Sequence, residues 1–225
     1  MKHVFCIASL LIFCIPSHSQ VKELEAGMYV GTFAMKDLRE FQERVENGTP
    51  LTESISSFPP FFVFDVSYTK MYDWGGLGFW AGYQSTGGRV QYADYSGELK
   101  TDIVIEGISV GMLYQKNLDN YFVVGRLGFT YNILVVKQSI RVFDFSDGNE
   151  DKFTSSNFPL AVVVGRRFEL KDWLALSPII FFDYSAVGSM FSHVKDEIEF
   201  PSKADWTGVR VGARIEFTTN PEKEE

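Results

Sequence analysis

The stretch Gly208-Val-Arg-Val-Gly-Ala-Arg-Ile-Glu-Phe217 decides how the whole chain is read. Val209, Val211, Ala213, Ile215 and Phe217 fall on one face of a strand, and Arg210, Gly212, Arg214 and Glu216 on the other. In a water-soluble protein the apolar face turns inward and the arginines meet water. In a barrel that crosses a membrane the faces exchange, with apolar residues on lipid and charges in the lumen. The segments upstream choose between the two.

Working back from that stretch, alternating segments recur at 173–191, 158–169, from 121, 101–116, 77–92, 59–70 and 25–35, which predicts eight strands in all. Leu174, Leu176, Ile180, Phe182 and Tyr184 oppose Ser177, Asp183 and Ser185, with Pro178 predicting a local irregularity. Trp80 stands on the polar face of its strand, and Glu106 on the apolar face of its own, which places Glu106 above the membrane. Short turns at 72–76, 117–120 and 170–172 alternate with longer polar connections at 36–57, 93–100, 144–157 and 192–205. In the first of these, Leu38, Phe41 and Val45 recur at helical spacing and predict a short helix.

The minority face is mostly glycine and serine with few charges, as a narrow lumen requires and a water-facing wall would not. Aromatics gather beside each short turn: Tyr68, Tyr72 and Trp74; Tyr114 and Tyr121; Phe168 and Trp173; and Phe217. They predict a girdle at one membrane interface. The reading is therefore all-β: an eight-stranded antiparallel up-and-down transmembrane β-barrel with short periplasmic turns and longer external loops. A soluble lipocalin-like barrel shares the alternation but predicts neither the girdle nor the asymmetry of the connections.

The N-terminus fits this compartment. Lys2, an apolar run from Val4 to Ile15 and Ser17-His18-Ser19 compose a secretory signal peptide over residues 1–19. The domains expected are this leader, a barrel over 20–218 and a short periplasmic tail over 219–225. Cys6 and Cys14 both lie in the leader, which leaves the remainder without a disulfide or a cysteine metal site. A net charge of −8 without a basic patch argues against nucleic acid.

Arg210, Gly212, Ile215 and Phe217 follow a polar-x-Gly-x-x-hydrophobic-x-aromatic pattern that resembles the signal by which the outer-membrane assembly machinery recognises a final strand. The chain from residue 20 resembles the outer-membrane protein β-barrel domain family widespread in Bacteroidota, itself similar to small OmpA- and OmpX-type barrels. That resemblance implies outer-membrane lipids as surroundings and the assembly machinery as a partner during insertion.

A barrel of this size is filled by its own side chains. The alternation sends Asp65, Arg126, Asp183, Arg210, Arg214 and Glu216 into the lumen, three arginines against three acids, and predicts a paired charge network that plugs it. The role expected is structural, anchoring or loop-mediated binding by a monomer, without cofactor or metal. The alternatives are a narrow channel or transporter for small solutes, or a barrel subunit of a larger envelope or secretion complex. Leu38, Phe41 and Val45 are the candidate contact for an envelope protein partner, unless that stripe folds back over the barrel mouth. Catalysis is not expected: His193 has Ser192, Asp196 and Glu197 near it in sequence, which is a poor proxy for a triad.

Overall fold

The computed structural model describes residues 21–48, 53–143, 145–187, 189–192 and 199–219. The expected signal peptide, His193, Asp196 and Glu197 lie outside the described residues. The elements are β1 (Lys22–Phe33), α1 (Lys36–Gly48), β2 (Glu53–Ser57), β3 (Phe61–Tyr72), β4 (Gly75–Ala93), β5 (Gly97–Leu118) and β6 (Tyr121–Val142). They continue with β7 (Phe145–Arg166), β8 (Phe168–Lys171), β9 (Leu174–Val187), β10 (Ser189–Ser192), β11 (Glu199–Lys203) and β12 (Gly208–Thr219).

Antiparallel pairing runs β1–β3–β4–β5–β6–β7–β9–β12 and returns from β12 to β1, a ring of hydrogen-bonded strands. At one end two-residue hairpins close the ladders Tyr72↔Gly75, Leu118↔Tyr121 and Lys171↔Leu174. Asp119 takes the left-handed conformation its tight turn requires, at φ 54°. The opposite end is the mouth, where α1, β2, β10 and β11 gather.

The opening stretch resolves as the membrane arrangement requires. Val209, Val211, Ile215 and Phe217 are exposed on the outer wall, whereas Arg214 and Glu216 are buried. The same holds round the ring, from Met28, Phe64 and Phe79 to Leu127, Val162 and Phe182. Each such side chain left in water forgoes about 1.5–3 kcal/mol of burial free energy, so an aqueous exterior of this composition is strongly disfavoured. At the turn end Tyr72, Trp74 and Tyr114 stack in series, and Trp173 stacks on Phe217.

Several expectations need correction. Residues 93–100 and 144–157 are not simple loops. The β4–β5 ladder continues to Ala93↔Glu98 and the β6–β7 ladder to Val142↔Phe145, so four strands run on past the apolar band as a projecting flap. The last connection likewise holds β11, which pairs with β10, and β2 pairs with β4 in the first. Pro178 lies in unbroken register with β12; on its other side the pairing of β9 is interrupted between Gly165↔Ile179 and Phe168↔Leu176 without a change of register, so no ladder bond there needs its missing donor. β12 extends to Thr219, paired with Lys22, and residues 220–225 of the expected tail lie outside the described residues.

Candidate functional site

Two places carry polar chemistry: the lumen and the mouth. The lumen is stacked in layers. Nearest the turns, Arg214 donates from Nη1 to Glu25 at 2.8 Å and from Nε to Glu216 at 3.0 Å, with its guanidinium over the Phe122 ring at 4.1 Å. Arg167 reaches Glu216 at 2.6 Å and Glu23 at 2.8 Å, and Gln115 donates to the other oxygen of Glu23. Ser67 and Ser177 donate to Glu25 and Glu216. Cross-ring ties of this kind fix register, since each arginine meets its acid only at one stagger of the strands.

In the middle layer Arg126 pairs with Asp65, which also accepts the Tyr29 hydroxyl at 2.8 Å, and Arg210 pairs with Asp183 at 2.7 Å. Phe181 lies between two cations, with the Arg126 guanidinium 4.8 Å and that of Arg210 5.7 Å from its ring centre. Trp80 belongs here too, 5.4 Å from Arg126 and lying over Gly111 and Gly128; a Cβ at either glycine would come within 2.7 or 3.0 Å of the indole. The two glycines supply a flat floor on which that ring can rest.

Above this, Trp206 donates to Asn132 at 2.7 Å, and Asn132 to Asn157 at 2.6 Å. Met35, Leu38 and Phe58 then pack on the inward Ile103, Ile105, Leu134 and Val136, an apolar cap at the mouth. A cavity of about 20 Å³ remains in the middle layer beside Arg126, Asp183 and Arg210. That is room for about one water molecule, not a continuous pore.

Every residue expected in the lumen lies there, but in three ion-paired groups rather than one, and the set is larger. Glu23, Glu25 and Arg167 join it, so five carboxylates face four arginines among the described residues, and the expected balance of three against three does not hold. All three additions are in phase: Glu23 and Glu25 alternate with Leu24 and Ala26, and Arg167 follows Ala161, Val163 and Gly165 on the inner face. Of the four residues expected to form an assembly signal, Arg210 and Gly212 face inward and Ile215 and Phe217 face out.

At the mouth, the helical stripe offered as a partner contact turns inward. Leu38 is fully buried and Phe41 packs against the same apolar cluster, so the stripe closes the barrel instead of presenting a surface. Arg39 fixes the helix from the other side, donating to the carbonyls of Ala34 and Phe58 at 3.1 and 2.8 Å. What the mouth does present is the flap, whose tips expose Tyr95, Phe143 and Phe145.

No protein-family model matches the sequence, and no curated protein matches it. Solved structures do. A major outer membrane protein from Thermus thermophilus aligns over 90% of this chain and 100% of its own, with 11% identity and a TM-score of 0.51. Ail, the attachment invasion locus protein of Yersinia pestis, aligns over 89% of this chain and 95% of its own, with 14% identity and a TM-score of 0.32. At such identity the first likeness speaks to fold, and the fold is that of an outer-membrane β-barrel.

Proposed function

We propose that this protein is an integral outer-membrane barrel with a sealed lumen, whose work is done by the flap and segments at its mouth. The observation that carries this is the filling of the lumen, from the Glu23–Arg167 layer through Arg126 and Trp206 to the cap of Leu38 and Phe58. A lumen so occupied suits an anchor that displays a binding surface, not a conduit, and gives no reason to assign catalysis. In this reading residues 1–19 are a cleaved leader, the termini are periplasmic and the mouth faces outward. The chain is a monomeric member of the Bacteroidota-type barrel family, and Arg210, Gly212, Ile215 and Phe217 serve the assembly machinery.

The test is single-channel recording of the refolded chain in planar bilayers. A silent wild type beside a leaky Asp183→Ala variant, which leaves Arg210 without its carboxylate, is the expected result. Stable openings in the wild type would overturn the seal and make solute passage the function.

A further inference from the structure

The chain is acidic, yet one part of its outer wall is not. Beyond Val104↔Val135, the last apolar pair on the outer face of β5 and β6, the outward face of β4 to β7 carries the row Arg89↔Asp102↔Lys137↔Glu150, one residue per strand. Lys100 and Lys152 flank it. Arg89 donates from Nη2 to Asp102 at 3.3 Å and Lys100 lies 3.1 Å from the same carboxylate. Lys137 and Lys152 share Glu150 at 3.1 and 3.0 Å. Each carboxylate is thus held between two cations, and each trio carries one net positive charge. Hydrogen bonds from Lys152 and Lys137 keep the Glu150 carboxyl below its ordinary range. The Arg89 and Lys137 side chains remain 42% and 58% exposed, with donors to spare.

Arg89 and Lys137, with the Asp102 carboxylate between them, also form the polar lip of an open groove of about 490 Å³, which carries one net positive charge and lies in the notch where β3 has begun beside β4 and β2 has ended. Pro59, Phe61 and Val104 supply its apolar side, and Gly87 adds no side chain to its floor. A cationic lip joined to an apolar floor, at the edge of the band that meets lipid, matches the cross-section of a lipid at the headgroup level.

We infer that this groove binds the phosphate of an anionic lipid headgroup, held by Arg89 and Lys137, with the adjoining apolar part of the lipid against Phe61 and Val104. The inference rests on the membrane reading above. Free phosphate would meet the same cations without the apolar contact and without confinement to the membrane plane, so the lipid is the favoured source.

The experiment reconstitutes the full chain in nanodiscs of phosphatidylcholine containing a minor share of phosphatidic acid, and counts lipids retained by native mass spectrometry. The wild type should retain phosphatidic acid over phosphatidylcholine by about fivefold or more, the scale of one surface cation's attraction. An Arg89→Gln, Lys137→Gln double variant should retain both alike, and Arg89→Lys should keep the preference. An excess of inorganic phosphate should leave the adducts in place; displacement would overturn the lipid assignment in favour of a free-phosphate site. No preference in the wild type, or an undiminished one in the double variant, would overturn the inference. Failure to enter phosphatidylcholine discs at all would instead count against the membrane reading, so the two failures are told apart.

Discussion

Asp65 is where a single side chain carries most structural consequence. It accepts from Tyr29 and pairs with Arg126, which is 2% exposed. Asp65→Ala leaves that buried guanidinium without its paired carboxylate and should cost about 3–5 kcal/mol, read as a lowered urea midpoint in detergent micelles. Removing both charges by Asp65→Leu with Arg126→Met should cost much less, because no charge is then stranded. Gly27 sits beneath the same pair: a Cβ there would fall 1.6 Å from the Tyr29 hydroxyl. Gly27→Ala should therefore displace the tyrosine and destabilise the barrel by more than Tyr29→Phe, which loses only one hydrogen bond of about 1 kcal/mol. The same urea titration ranks the two. Six of the inward charges were legible from alternation, whereas Glu25, at the edge of its expected strand, and Glu23 and Arg167 were missed although each is in phase. Which acid meets which arginine was not legible, because pairing across the ring depends on stagger, and Arg167 reaches Glu23 from 144 positions away.

At the scale of elements, the flap explains what polarity concealed. Alternation is visible only where a strand's two faces meet different surroundings. Residues 145–152 are exposed on both faces, so their sequence lacks contrast although every one is laddered to β6. The helix, by contrast, was legible because one of its faces is buried. Leu38→Asp should unseat it, and hydrogen exchange over residues 36–47 should rise while the β5–β6 amides stay protected. At the flap's other tip Asp94 accepts hydrogen bonds from the Ser96 hydroxyl, the Tyr92 hydroxyl and the backbone N–H groups of Ser96 and Gly97. These hold its carboxyl down, at about 2. The sign follows: the turn is favoured at pH above the ordinary carboxylate value near 4 and loses that support as pH falls toward about 2. A carbon-13 titration of the Asp94 carboxyl should place its midpoint well below the ordinary aspartate value; a midpoint at that value would contradict the hydrogen-bonded turn.

For the molecule as a whole, one feature governs how it can come into being. β1 and β12 are paired from Lys22↔Thr219 to Phe33↔Gly208, and the Glu25–Arg214 bond spans 189 residues. The first strand to be synthesised therefore waits for the last. Until β12 arrives, β1 and β9 each expose a bare hydrogen-bonding edge, which is a template for wrong partners. A chain ending before Gly208 should form no smaller barrel and should aggregate on refolding, seen as loss of the compact, heat-sensitive band on cold electrophoresis. Completion is thus a single late event reported to the chain by its own far end, and a nascent or nicked copy has no stable halfway form in which to persist.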